Sequence, residues 1–272
     1  MNRTAISLNK KSNKKLLALN LKRWRSLRNS SLVSILGVKI TNISRHEAIR
    51  VMEQLLRQEQ SPTHTIFIVN AHTLNLATEN PEYRDVLNSA SLVFGDGTGV
   101  RWAAKLRGTT MKSNLVGTDL IPKFFQATGN CGYRYFLLGA DAATVSRAAQ
   151  ATSDKFPGWE MVGFQHGYFG NDETASVIER INSAQPHMLL VAMGNPKQEY
   201  WLHIHQHRLR VPLAIGVGGL FDHWAGNLRR APLWVRQKGF EWLQILLQQP
   251  HKWRRYLIGN PKFLIRIVLA LD

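Results

Sequence analysis

Five short apolar runs govern what this chain can fold into: "HTIFIVN" (64–70), "SLVFG" (91–95), "YRYFLLG" (133–139), "HMLLVAMG" (187–194) and "PLAIGVG" (212–218). A strand with one face in water alternates apolar and polar residues. Runs that are apolar at nearly every position belong to strands covered on both faces, the environment of a parallel sheet. Between them lie stretches with helical periodicity, at 44–59, 81–89, 98–107, 118–128, 141–155, 172–183 and 196–209. Asp141, Asn171 and Asn195 read as N-caps, the last with Pro196 at the first helical position. The alternation predicts an α/β fold: a doubly wound, Rossmann-like, mostly parallel sheet. The sequence shows no internal repeat and no low-complexity segment.

In such sheets ligands bind beyond the carboxyl ends of the strands. The candidates for function are therefore the residues after each run: Asn70, Asp96, Gly139, Asn195 to Glu199 and Gly216 to Asp222. In "GDGTGV" (95–100) the glycines are spaced G-x-G-x-G rather than G-x-G-x-x-G. Lys112 to Leu115 stand where a dinucleotide fingerprint expects an acidic ribose partner, which disfavours a nicotinamide oxidoreductase. Flanking Gly95 and Gly97 let a ligand approach the backbone while Asp96 projects into the crevice. Three roles stay open for that carboxylate: proton acceptor for a hydroxyl, ligand of ribose hydroxyls, or cap of the helix starting near Thr98.

"GADAAT" (139–144) is a glycine turn into a helix capped by Asp141, suited either to a nucleotide phosphate or to an ordinary strand-to-helix turn. "MGNPKQEYW" (193–201) passes through Gly194 into a helix whose first turn holds Lys197, Gln198 and Glu199. A helix N-terminus beside a lysine stabilises an anionic leaving group without metal. "GVGGLFDHWAG" (216–226) adds Gly218 and another carboxylate, Asp222. His203 and His207 lie one turn apart with no acidic third ligand nearby, and read as a solvated helix face rather than a metal pair. The chain has no Asp-x-Asp, so nothing points to a carboxylate-bound ion holding phosphates.

The net charge of +17 is concentrated at the two ends. Residues 1–30 carry 9 Lys/Arg and no acid; residues 229–272 carry 9 against Glu241 and Asp272; residues 31–228 hold 17 against 16 Asp/Glu. This divides the chain into a basic extension (1–30), an α/β core (31–228) and a basic helical appendage (229–272). In "KKLLALNLKRWRSLR", Leu17, Leu21 and Trp24 fall on one helical flank, as in a helix lying on an anionic membrane; a solubilising tail is the alternative. In the appendage, Trp242, Leu243, Leu246, Leu247, Trp253, Tyr256 and Leu257 interleave with His251, Lys252, Arg254 and Arg255. That mixture suits lipid headgroups better than a nucleic-acid groove, although a basic patch alone does not tell two polyanions apart. No run nears the ~18 apolar residues of a membrane span. The N-terminus does not read as a secretory signal. A single cysteine, Cys131, excludes an internal disulfide.

The motifs "GDGTGV", "VGTDLIP", "YFLLGA", "PKQEYW", "GVGGLFDHWAG" and "RAPLWVRQKGFEWL" occur in the order seen in the WecG/TagA/CpsF glycosyltransferases, which the chain resembles from about residue 36 to 256. The resemblance implies an inverting, metal-independent, UDP-sugar-dependent hexosyltransferase that needs no cofactor. It would act on a polyprenyl-pyrophosphate-linked sugar at the cytoplasmic face of the membrane, as a peripheral protein of exopolysaccharide or related envelope-polymer assembly. Nucleic acid would not be a partner, and self-association stays open.

Asp96 matches the aspartate of the family's D-G-x-x-V motif and would be the general base. Asn70 matches the asparagine after the early strand, and Gln198 the active-site glutamine. With Gly97, Asn114, Gly139, Gly194, Lys197, Glu199, Gly218 and Asp222 they form the expected donor side. Arg229, Arg230, Lys252, Arg254 and Arg255 form the expected acceptor and membrane side, in a segment that the family uses to reach the membrane and complete the site. Two positions depart from the pattern. Asn114 stands where many members have arginine, and Ile245 stands in "EWLQILL" where arginine is usual. Arg101, Lys197 or an appendage arginine are the candidates to replace the first cation. Asn114 followed by "GTDLIP" resembles the GumM-type glucosyltransferases, which shifts the expected donor from UDP-N-acetylmannosamine towards UDP-glucose. N-acetylmannosaminyl transfer to an N-acetylglucosaminyl-pyrophosphate lipid is the alternative, and a non-catalytic nucleotide-binding module the more remote one.

Overall fold

The computed structural model describes residues 31–58 and 62–270. The described residues from Val33 onward form one compact unit. The amphipathic pattern at Leu17, Leu21 and Trp24 lies outside the described residues.

A small two-stranded sheet comes first, β1 (Leu32–Ile35) and β2 (Val38–Thr41). Leu36 and Gly37, both at positive φ, make the two-residue turn that a tight hairpin needs. Helix α1 (Arg45–Leu56) starts at a full capping box, Ser44 with Glu47. Then follow β3 (His64–Val69), α2 (Ala71–Glu79), α3 (Pro81–Ser89), β4 (Leu92–Gly95), α4 (Gly97–Leu106) and α5 (Gly117–Ala127). The second half continues through β5 (Arg134–Gly139), α6 (Ala142–Lys155), β6 (Glu160–Gln165), α7 (Thr174–Ala184), β7 (Met188–Ala192), α8 (Lys197–His205) and β8 (Leu213–Gly216).

β3 to β8 make one six-stranded sheet in the order β4-β3-β8-β7-β5-β6, parallel at every pairing. The apolar runs are buried as their pattern requires: Leu189, Leu190, Val191, Leu213 and Ala214 are wholly inaccessible. β3 and β4 occupy one side of the sheet, while the later strands fill the other. The carboxyl ends of β3, β4 and β8 therefore meet around a switch in strand order, where an open α/β sheet leaves a crevice.

The segment from Leu220 onward is helical: α9 (Leu220–Trp224), α10 (Leu233–Gln237), α11 (Glu241–Gln248), a 3-10 turn (Pro250–Lys252), a π-helical turn (Arg254–Ile258) and α12 (Gly259–Leu269). It packs within the same unit as the sheet. Phe263 and Ile267 of α12 are buried, and the Phe263 ring lies close enough to Gly99 that a Cβ there would sit 3.1 Å from it. Burial of each such side chain contributes about 1.5–3 kcal/mol. Asn75 of α2 donates to the Gly259 carbonyl (2.7 Å) and accepts from Arg266 (3.1 Å), while Glu79 pairs with Lys262 (2.6 Å) and Arg266 (3.0 Å). Among the described residues, no helix is long and apolar enough to cross a membrane.

The structure departs from the sequence expectations at several places. The β1–β2 hairpin and helix α2 fill stretches to which no element was assigned. β6 also lacked a signal, because as an edge strand it keeps partly exposed residues that break the apolar run. Asn171 is not an N-cap: α7 begins at Thr174, whose N–H is held by the Asn171 carbonyl rather than its side chain. Nor does Asn195 cap α8, which begins at Lys197 after a cis Asn195–Pro196 bond; the Asn195 amide turns instead to Glu199. Asp141 caps α6 as expected, accepting from the Thr144 N–H at 2.9 Å.

Candidate active site

A cavity of about 670 Å³ opens where β3, β4 and β8 end and the C-terminal helices cross over them. Of the expected residues it brings together Asn70, Asp96, Gly97, Asn114, Gln198, Gly218, Arg230, Lys252 and Arg255.

Asp96 follows β4, and its N–H donates to the Val69 carbonyl at the end of β3 (2.8 Å). It occupies the N-cap position of α4, yet its carboxylate makes no capping bond. This removes the capping role from the three that the sequence left open. Burial pushes its pKa up from 3.8 to about 7; Glu241 adds to the rise, and Arg230 and Arg255 oppose it. A carboxylate so tuned can take a proton near neutral pH. Gly97 lies at φ +92°, and a Cβ there would meet nothing within 4 Å, so backbone conformation rather than space requires glycine. Its N–H donates to Asn114 Oδ1 (2.7 Å), and the Leu115 N–H to the Gly95 carbonyl (3.1 Å). Asn114 thus stitches the turn that presents Asp96.

Asn70 caps α2, its oxygen accepting from the N–H groups of His72 (3.1 Å) and Thr73 (3.2 Å). Gln198 is almost wholly buried and spans two strand ends: its Oε1 accepts from the Gly218 N–H (3.1 Å) and its Nε2 donates to Glu199 Oε1 (2.7 Å). Glu199 lies behind the wall, inaccessible to solvent. Its carboxylate also accepts from Asn195 Nδ2 (2.6 Å) and the Tyr83 hydroxyl (3.0 Å). Burial raises the pKa of Glu199, and the three donors pull against that rise. Glu199 therefore supports the cavity wall formed by Gln198 and Gly218 rather than lining it.

The remaining expected residues lie outside the cavity lining. Gly139 has a packing reason: at φ +136°, a Cβ would fall 2.4 Å from the Ala192 carbonyl oxygen. Gly194 sits at φ +78° in the turn before α8. Lys197 donates to the Gly167 carbonyl (2.9 Å) and lies 6.0 Å from the ring centroids of Tyr168 and Phe169. Asp222 accepts from Asn227 (3.3 Å), and its carbonyl from the Leu228 N–H. The Arg229 backbone is held by Gln248, and the Arg254 guanidinium lies over Trp253.

Arg236, Glu241 and His72 also line the cavity and carried no sequence signal of their own. Arg230 bridges Asp119 (2.9 Å) and Glu241 (3.0 Å) and also contacts Thr118 Oγ1, while Arg236 reaches Asp119 at 3.3 Å. These bonds fasten α10 and α11 to the start of α5. Glu241 is raised by its burial, with Arg230 opposing. His72 is lowered to about 4 by burial and by Arg255, with Lys252 adding, so it is neutral at physiological pH. Burial and Arg255 also lower Lys252. Only the position of Glu241 in "GFEWL" and of His72 in "NAH", just after a strand run, could have drawn notice.

The family model described as Glycosyl transferase WecG/TagA/CpsF family matches residues 33–271. The chain belongs to this family. Its similar curated relatives are named N-acetylglucosaminyldiphosphoundecaprenol N-acetyl-beta-D-mannosaminyltransferase. The Bacillus spizizenii protein is 33% identical over 192 residues, covering 71% of this chain and 74% of its own. That of Bacillus subtilis is 30% identical over 203 residues, 75% and 78%. That of Staphylococcus aureus strain MW2 is 30% identical over 247 residues, 89% and 94%. As a family member the chain is a glycosyltransferase, and its relatives are named for transfer to a lipid-diphosphate-linked sugar. Their names describe a mannosaminyl transfer, and none describes the glucosyl transfer expected from Asn114.

Proposed function

We propose that this chain transfers N-acetylmannosamine from a UDP-sugar to N-acetylglucosamine carried on a polyprenyl pyrophosphate, with inversion and without metal. The observation that carries the reading is Asp96: an uncapped carboxylate, tuned to about 7, in a cavity walled by appendage cations. In the reaction the acceptor hydroxyl oxygen attacks the anomeric carbon from the face opposite UDP. The bond from that carbon to the UDP oxygen breaks, the electron pair leaves with the diphosphate, and the hydroxyl proton passes to Asp96. Arg230, Arg236, Lys252 and Arg255, together with backbone N–H groups at the strand ends, meet the diphosphate charge. Among the described residues no cluster of three His, Cys, Asp or Glu side chains is placed to hold a metal. The acceptor is lipid-borne in this reading, so the protein works as a peripheral protein at the inner face of the membrane. The exposed Leu233, Trp234, Phe240, Leu247 and Trp253 of the C-terminal helices support that placement.

A second reading, glucosyl transfer, is favoured by Asn114, which lines the cavity where the family pattern expects arginine. The test offers UDP-N-acetylmannosamine and UDP-glucose in parallel, with EDTA, to short-chain N-acetylglucosaminyl- and glucosyl-pyrophosphate lipids. Product from UDP-N-acetylmannosamine alone is expected. Product from UDP-glucose alone would replace the first reading with the second, and a requirement for added metal would overturn the mechanism.

A further inference from the structure

Beside the catalytic cavity lies a second cleft, of about 300 Å³, that the reaction does not use. It is formed by one face of α4 (Thr98, Arg101, Trp102, Lys105) and by Gln237 and Lys238 at the end of α10. Three cations converge there and no carboxylate lines it. None of the three forms a salt bridge among the described residues, although Glu47, Glu53, Glu79, Asp119 and Glu241 all pair elsewhere. Like charges gathered without counter-charge are unfavourable unless an anion is supplied from outside. Arg101 and Lys105 are one turn apart, so they share one face of α4.

The surroundings indicate where that anion comes from. Trp102 is 55% exposed and Leu106 50%, both on α4. Arg107 donates to the Ala270 carbonyl (2.9 Å), tying the end of α4 to the end of α12, where Ile265, Val268 and Leu269 are exposed. Cations and a tryptophan flanked by bare aliphatic side chains match the boundary between lipid headgroups and hydrocarbon. A soluble phosphate would need the cations but not the apolar rim. The cleft also shares Thr98, Trp102 and Lys238 with the catalytic cavity, so whatever fills it sits at that cavity's mouth.

We propose that this cleft seats the phosphate of an anionic phospholipid headgroup, holding the mouth of the catalytic cavity against the bilayer. The inference rests on the reading that the acceptor is lipid-borne, but it does not depend on which sugar is transferred.

The test measures binding of the full chain to vesicles of phosphatidylcholine with phosphatidylglycerol, and to phosphatidylcholine alone. Arg101→Gln with Lys105→Gln is compared with a charge-matched control on exposed residues elsewhere, Lys39→Gln with Lys155→Gln. The cleft pair is expected to weaken binding to the anionic vesicles about tenfold or more, and the control about twofold or less. Trp102→Ala should weaken it as well. Transfer to a short-chain acceptor in neutral detergent should be unchanged in Lys105→Gln alone, at a residue that lines this cleft and not the catalytic cavity. Equal weakening by the two pairs would mean diffuse charge and overturn the site. Displacement from vesicles by inorganic phosphate at constant ionic strength would make it a free-phosphate site instead. A raised acceptor KM in detergent with vesicle binding intact would assign the cleft to the acceptor pyrophosphate. If the wild type transfers no sugar, the proposed reaction fails while the vesicle result still decides the cleft.

Discussion

Replacing Asp96 with asparagine separates what this residue does from what it costs the fold. Its carboxyl titrates at about 7 in the folded protein against 3.8 ordinarily, because burial and the Glu241 charge disfavour the ionised form. The folded state therefore holds the proton more tightly than the unfolded chain. Stability on this account is full below about pH 4, falls as pH rises towards 7, and stays reduced above it. At about 1.4 kcal/mol per pKa unit the full separation corresponds to at most about 4 kcal/mol, and water in the open cavity screens this to about 1–2 kcal/mol. Asparagine has no charge to desolvate. Asp96→Asn should therefore raise Tm by about 3–6 °C at about pH 8, with the difference closing at about pH 4. Transfer should fall by about 10²–10⁴, the usual contribution of a positioned general base. Thermal unfolding across pH, beside initial rates of UDP release, measures both. A variant that keeps full turnover refutes the proton-acceptor role. A Tm difference that is the same at both pH values refutes the assigned cause of the raised pKa.

For the wild type, kcat/KM should climb about tenfold per pH unit up to about 7 and then level, and Glu241→Gln should move this limb to lower pH by removing a like charge. An unmoved limb would mean that Glu241 does not act on Asp96. Glu199→Gln keeps its amide oxygen towards Asn195 and Gln198 but turns its NH2 to the Tyr83 hydroxyl, which must then accept instead of donate, and it replaces charge-assisted bonds by neutral ones, costing about 1–3 kcal/mol. We expect a higher donor KM, a lower kcat and a lower Tm; unaltered kinetics with a lower Tm would make Glu199 a purely structural residue. Arg230→Ala leaves Asp119 with Arg236 alone and Glu241 without an ion-pair partner, so kcat/KM should drop about tenfold or more and the appendage should become sensitive to limited proteolysis.

The buried strands were legible in the sequence because a strand covered on both faces leaves no polar alternation, and β7 and β8 are wholly apolar for that reason. β6 was not, since the edge of the sheet does not demand an apolar run. Helix α2 was missed because its buried face includes Thr73 and Asn75, polar residues whose partners lie in α12 or in the helix's own cap. In the site, Asp96, Asn70 and Gln198 could be found because a parallel sheet places its functional residues just after strands. Gly139 and Glu199 follow the same rule and yet serve packing and support, which a strand-end position alone does not reveal. Arg236 and Glu241 lie on the C-terminal helices and Arg230 in the segment leading into them, and their placement over the sheet depends on tertiary packing at Phe263 and Ile267 that no local pattern encodes.

The two departures from the family pattern are not equivalent in physical terms, and that difference can be measured. Both line the cavity. Asn114 is committed: its oxygen holds the Gly97 N–H at 2.7 Å, next to Asp96. Arginine has no acceptor to replace it, so Asn114→Arg frees the turn and loses a hydrogen bond worth about 0.5–1.5 kcal/mol, whatever charge it adds. Ile245 is half-buried on α11 and its side chain has no polar atom, so Ile245→Arg adds a cation without breaking a hydrogen bond. A new positive charge on the same cavity favours the ionised form of Asp96 and should carry the acidic limb of kcat/KM to lower pH, with a lower donor KM. Asn114→Arg should cost activity at every pH without a matching fall in donor KM. The opposite pattern, gain at position 114 and loss at 245, would show that Asn114 acts through the donor phosphate and not through the turn that carries Asp96.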